Sequence, residues 1–373
     1  MNHENEKPLR PELSALIERL SLGQDENRPE AVARRRQKHL RTARANVTDL
    51  CDDGSFIEYG ALAVAAQRGR RSEADLIQKT PTDGMIAGVG DIVVDDDTDA
   101  VAVARKYLSY FQGKTSQWRV GDQTLLRDLI PENSRQAYNV RTVISAMADT
   151  DSFLELRPKF GAGIVTGLMC VEGQPFGVIA NNCMHMAGAI EAEAADKAAR
   201  MMQLCQAHGL PILSLCDTPG FMVGPDMEKR AQVRHVSRMF VVGSHLTVPF
   251  FTLVLRRGYG LGVMAMSRGG FHDAFFTAAW PTAEFGAMGI DGAIKAGFKR
   301  ELAAIEDEAQ RKELYDHLVA ELYKRGQAMN MASYLEIDAV IDPADTRCWI
   351  TRGIKSAPPE AFGGKGHGFV DSW

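Results

Sequence analysis

The chain has no Cys-x-x-Cys pair, no surplus of positive charge and no long apolar run. Each absence removes a class of function. Its six cysteines, Cys51, Cys170, Cys183, Cys205, Cys216 and Cys348, are scattered, which argues for reduced, buried thiols and against a zinc site. A net charge of −5 gives no electrostatic footprint for nucleic acid. No apolar run reaches the roughly 18 to 20 residues that would span a bilayer. The opening MNHENEKPLRPELS is too polar for a signal peptide core, so a cytoplasmic location is expected. There is no P-loop, no Ala-Met-Lys-Met biotin-attachment motif and no GxSxG elbow. His185, His235, His245 and His272 lack i, i+4 partners or an obvious acidic orienter, so structural or surface roles are expected for them.

What remains is an ordinary globular composition over 373 residues, 45% apolar and 24% charged, with ample capacity for a buried core. Residues 1–48 read as amphipathic helix with a basic strip at Arg34, Arg35, Arg36, Lys38, Arg41 and Arg44. A solvated helix face and attraction of a phosphorylated ligand both fit that strip. Two segments repeat faintly: Cys51-Asp-Asp-Gly-Ser-Phe-Ile-Glu-Tyr59 and Ala148-Asp-Thr-Asp-Ser-Phe-Leu-Glu-Leu156. A Gly-punctuated β segment follows each copy, MIAGVG (85–90) and GAGIVTGLMCVEG (161–173), as expected for two related halves. The halves are unequal, because about ninety-seven residues separate the markers and well over two hundred follow the second.

The second half alternates strand and helix. PFGVIANN (175–182), PILSLCDT and PFFTLVLRR read as strands, with helices over 189–208 and over GPDMEKRAQVRHVSRMFVVG. That rhythm predicts an α/β fold with a mostly parallel sheet. DIVVDDDTDAVAVARKYLSYF (91–111) predicts a short strand, an acidic turn and a helix. ELAAIEDEAQRKELYDHLVAELYKRGQAMN (301–330) predicts an amphipathic helix, and 333–350 a strand leading into a helix start.

Two strands end in Gly-bearing turns, DTPGFMVG and GYGLG. A strand turning into a helix leaves free N–H groups, and glycine lets a ligand approach the main chain. The chemistry this suggests is stabilisation of a developing oxyanion by backbone amides.

The ordered set ENSRQAYNVRTVI, DSFLELRPKFGAGIVTGL, GVIANN, DTPGFMVG, VLRRGYGLG, WPTAEFGAMG and EIDAVIDPADTR resembles the carboxyltransferase (β) subunit of biotin-dependent acyl-CoA carboxylases of the propionyl-CoA and acetyl-CoA type. The resemblance continues upstream in DDGSFIEYGALA, TPTDGMIAGVG and AVAVARKYLSYFQG. It implies a crotonase-like fold of ββα units in two related halves. The halves would be a shortened N-terminal one over 1–125 and a C-terminal, biotin-side one over 126–373. It also implies a homo-oligomer that works with a biotin carboxylase/biotin carrier subunit, with biotin carried on that partner, acyl-CoA as substrate and no metal in this chain. The implied reaction moves a carboxyl group from carboxybiotin to the α-carbon of a short-chain acyl-CoA through an enolate.

By the same resemblance the biotin-side hole falls on the N–H groups of Leu261 and Gly262, beyond Tyr259 and Gly260. Thr218, Pro219, Gly220 and Phe221 would line the adjacent cleft. Read alone, Asp217-Thr218-Pro219-Gly220 is an N-cap and turn. Met264 stands where many relatives place an acidic residue that influences acyl choice. One departure is plain: Gly90 runs straight into Asp91, where the family normally carries a long segment with the thioester's oxyanion hole. That departure motivates one alternative, a non-catalytic partner subunit lacking the acyl-CoA site; a separate one is a biotin-independent crotonase-type hydratase or decarboxylase.

Overall fold

The computed structural model describes residues 10–50, 72, 91–133 and 136–358. The first copy of the repeat, the MIAGVG segment and the tail after 358 lie outside the described residues. The chain forms two compact units, residues 1–106 and 107–373. The first contains helices α1 (Pro11–Ser21), α2 (Pro29–Gln37) and α3 (Ala43–Leu50). Helix α4 (Asp97–Ser109) follows, but residues 91–94 form no strand, in contrast to the sequence expectation. Asp96 instead accepts the N–H groups of Thr98 and Asp99 and starts the helix directly.

The second unit is built on a sheet of eight strands. These are β1 (Leu154–Leu156), β2 (Ile164–Val171), β3 (Gln174–Asn181), β4 (Ile212–Thr218), β5 (Phe250–Tyr259), β6 (Phe276–Ala279), β7 (Glu284–Gly286) and β8 (Ala339–Val340). The order is β1-β2-β3-β4-β5-β6-β8, with β7 paired to the end of β5. β1, β2 and β3 are antiparallel; from β3 onward every pairing is parallel. The α/β expectation therefore holds. Parallel strands need crossovers that place helices over the sheet, so β4 is buried along its whole length and β5 nearly so.

One face is covered by α5 (Val140–Met147), where Val140, Val143, Ile144 and Met147 join Phe176, Leu213, Phe251 and Trp280 in one core. Asn139 caps this helix by accepting the Arg141 N–H. Helix α6 (Ala192–His208) packs on β2 and β3, with Met201 and Cys205 against Gly177 of β3.

GPDMEKRAQVRHVSRMFVVG does not form a single helix. It splits into α7 (Pro225–Lys229) and α8 (Gln232–Ser244) at Ala231, which sits at φ 55°. The Gln232 side chain is buried and donates to the Ile190 carbonyl, so a long-range tie fixes where α8 begins.

Beyond β5, α9 (Gly260–Met266) continues the chain, followed by α10 (Ile290–Gly297) and α11 (Lys299–Ala303). The region expected as one C-terminal amphipathic helix is interrupted: α11, α12 (Glu308–Gly326) and α13 (Ala328–Ser333) are separate. Helix α14 (Thr346–Ser356) closes the described chain. Its Arg347 pairs with buried Asp149 at 2.7 Å, while Asp149 also accepts the Glu172 and Gly173 amides of the β2–β3 turn.

Candidate active site

β4 and β5 run side by side in parallel, so their exit turns emerge at the same edge of the sheet. The first exit is anchored by charge. Asp217, 1% exposed, accepts from Arg256 Nε at 2.9 Å and Arg257 Nε at 2.7 Å. It also accepts the Cys183 thiol at 3.0 Å, and its own N–H donates to Asn181. Burial alone would raise the Asp217 carboxyl, but the two guanidiniums, Arg257 foremost, outweigh it and hold its pKa below the ordinary carboxylate value. Burial, together with that carboxylate, pushes the Cys183 thiol up to about 12, so it is a protonated donor and not a nucleophile. The Arg256 guanidinium lies over the Tyr138 ring, 4.9 Å from its centroid.

Thr218 is fully buried, and its hydroxyl accepts the Gly220 N–H at 3.1 Å within the turn. Pro219 and Phe221 remain partly exposed. Phe221 stacks edge-on against Phe240.

The second exit is open. Gly260 occupies φ +58°, a conformation that costs an L-residue with a side chain about 1–2 kcal/mol. Among the described residues, neither the Leu261 nor the Gly262 N–H has an acceptor, as expected in the first turn of a helix without a side-chain cap. The Leu261 side chain is 65% exposed. Gly262 faces Gly220, whose Cα would lie 2.7 Å from any Cβ added there. Glycine at 262 is what lets the two turns meet, and glycine at 220 is favoured by its φ of +120°. Tyr259 holds the base of the second turn by donating its hydroxyl to Glu284 Oε1 at 2.6 Å, and burial, reinforced by Glu284, raises its pKa.

A cleft of about 850 Å³ opens beside this turn. Gly260, Leu261 and Met264 line it; Tyr259, Gly262 and Thr218–Phe221 do not. The structure thus brings all the candidate residues to one edge of the sheet and divides them between two jobs. Gly220 and Gly262 are the contact between turns, whereas Leu261 and Met264 face open space.

Sequence reasoning missed two features. The Asp217–Arg256–Arg257 network joins residues about forty positions apart. Its only local signal was the pair of arginines in VLRRGYGLG, inside a strand otherwise apolar enough to be buried. The expectation that no histidine has an acidic orienter is corrected. His235 Nδ1 lies 2.6 Å from Asp196, which Arg238 also contacts, and His185 Nε2 lies 3.9 Å from Glu191. Both carboxylates come from the segment around the start of α6; Asp196 is thirty-nine positions from His235 in the chain, whereas Glu191 is only six from His185 and is brought near it by the intervening turn. Among the described residues there is no group of three or more metal-ligating side chains, and no helix is long and apolar enough to cross a membrane.

Residues 50–357 match the carboxyl transferase domain, so the chain belongs to the carboxyltransferase family and its sheet is the crotonase-like fold of that family. The β6 subunit of biotin-dependent acetyl-/propionyl-coenzyme A carboxylase from Mycobacterium tuberculosis is 36% identical over 278 residues, 73% of this chain and 58% of that protein. The methylmalonyl-CoA carboxyltransferase 12S subunit of Propionibacterium freudenreichii subsp. shermanii is 33% identical over 79% of this chain and 57% of its own length. Among solved structures, a single-chain, multi-domain long-chain acyl-CoA carboxylase superposes with a TM-score of 0.80 and 36% identity over 93% of this chain and 49% of that one. The transcarboxylase 12S hexamer with methylmalonyl-CoA bound gives 0.64 and 31%, over 71% of this chain and 52% of that one. The chain spans a little over half the length of these curated relatives.

Proposed function

We propose that the chain is the carboxyltransferase component of a biotin-dependent acyl-CoA carboxylase, with residues 126–373 forming the biotin side. The supporting observation is the pair of unaccepted amides at Leu261 and Gly262 in the turn after Gly260, of which Leu261 lines the cleft and Gly262 is packed against Gly220. Carboxybiotin, carried on a partner protein, supplies the carboxyl group. The ureido oxygen of biotin gains negative character as CO2 leaves, and amides fixed in advance stabilise that charge without reorganising. The freed ureido nitrogen can take the α-proton of the acyl-CoA, so no side-chain base is required. This agrees with the β4 exit, where the ionisable groups Asp217, Arg256 and Arg257 are consumed in holding the turn. Homo-oligomerisation and a biotin carboxylase/carrier partner belong to the same reading, and the hexamer of the transcarboxylase 12S relative supports it.

Proline is tolerated in the first turn of a helix, so Leu261→Pro removes one donor while preserving α9. The expected result is a loss of about 10²–10³-fold in decarboxylation of malonyl- or methylmalonyl-CoA stimulated by free biotin, with Leu261→Ala near wild type. Equal activity of the two variants would defeat the assignment.

A second reading is favoured by the direct junction of Gly90 with Asp91, where the family resemblance calls for a longer segment. It makes the chain a non-catalytic partner subunit. That reading expects co-purification with full-length carboxylase subunits and no turnover by the isolated chain.

A further inference from the structure

The cleft beside Leu261 is larger and more apolar than a short acyl group requires. It extends from α9 to α10, α12 and α13, where Met264, Met288, Ile290, Ala293, Leu322 and Met331 form its walls. Arg325 and Glu336 are its charged lining residues. A volume of about 850 Å³ lies within the roughly 300–1,000 Å³ typical of small-molecule sites. Three of the walls are methionines, whose unbranched thioethers adapt to an irregular or flexible apolar guest. The same pocket contains Gly260 and Leu261, so it is continuous with the turn that carries the candidate oxyanion donors.

We propose that this cleft holds the hydrocarbon chain of a medium- to long-chain acyl-CoA. The inference rests on the carboxyltransferase reading and replaces the short acyl group implied by the sequence resemblance. A propionyl group would leave most of these walls against water. Each further methylene buried here improves affinity by about fourfold. Apolar Met264 fits this role, since a carboxylate at that position would place a charge against the chain. The small side chain of Ala293 keeps the α10 wall open; a large ring there would fill the space the hydrocarbon needs.

The test uses the full chain and the fluorescent fatty acid cis-parinaric acid. The expected result is saturable binding, displaced by palmitoyl-CoA, less well by decanoyl-CoA and not by propionyl-CoA. Ala293→Trp, and independently Met331→Trp from the opposite element, should each weaken that binding by roughly tenfold, the scale of overpacking an apolar site. Circular dichroism melting confirms that each variant is folded, and the affinity for free biotin should stay unchanged in both. No binding by the wild-type chain, equal displacement by propionyl-CoA, or unaltered binding in both folded variants would overturn the proposal. A second copy of the chain seated in the cleft would produce the first of those outcomes. Failure of the carboxyltransferase reading is seen separately, as the absence of biotin binding and of biotin-stimulated decarboxylation.

Discussion

The exits of β4 and β5 look alike in sequence, each a run of apolar residues ending in glycine and turning toward a helix, yet they are built for different ends. The β4 exit is internally satisfied: Asp217 is clamped by Arg256 and Arg257, and the Thr218 hydroxyl takes the Gly220 amide. The β5 exit leaves the Leu261 and Gly262 amides without acceptors, and Leu261 borders an apolar cleft. The rigid turn therefore buttresses the open one through the Gly220–Gly262 contact. Unsatisfied donors are tolerable in a folded protein where solvent or a ligand can reach them, and costly where neither can.

The largest effect that sharpens this contrast is expected at Asp217. Asp217→Ala leaves two guanidiniums, 4% and 15% exposed, without their carboxylate. Chemical denaturation should show a loss of about 3–5 kcal/mol, typical of breaking a buried pair from one side. Because the folded pKa of Asp217 is depressed, its contribution is complete above the unfolded carboxylate value near 3.9. It is lost as pH falls through the lower folded value, and Asp217→Asn should flatten that acid-side decline in a pH series of melts.

Next in size is the contact between turns. Gly262→Val must displace Gly220, and the expected destabilisation is about 1–3 kcal/mol by denaturant titration, together with loss of biotin-stimulated decarboxylation. A variant with wild-type kinetics would separate the buttress from the open turn and break the comparison.

The smallest effect is expected at Gly260. An alanine there has φ +58° and a Cβ 2.9 Å from the Ala287 carbonyl oxygen, so Gly260→Ala should cost about 1–2 kcal/mol. Turnover should fall further than this stability change explains, because the turn that aims the Leu261 amide is displaced. Parallel melts and kinetics would show whether the two changes separate.

Much of the sheet was legible because its strands are apolar on both faces and bounded by turn residues. β2 to β5 and α6 lie where periodicity and β-branched runs put them. The glycine turns were legible for the same local reason. What was not legible depends on distant partners. The start of α8 is set by Gln232 reaching Ile190, and the role of Asp217 is set by arginines on the next strand. The pairing of His235 with Asp196 likewise joins two helices. The cleft was invisible for a related reason: its walls come from residues 258–336, and no local pattern states that α12 and α13 fold back toward Leu261. The breaks within 301–330 belong to the same folding-back, with Asp307 capping α12 through the Gln310 amide.

The most direct measurement is the amide NMR response of a chain labelled with ¹⁵N-leucine and ¹⁵N-glycine during titration with free biotin. Biotin seated with its ureido oxygen on these donors shifts the Leu261 and Gly262 amides downfield together and saturably, while the Gly220 amide, already bonded to Thr218, moves far less. Resonances of Leu261 and Gly262 that stay fixed at saturating biotin would contradict the account.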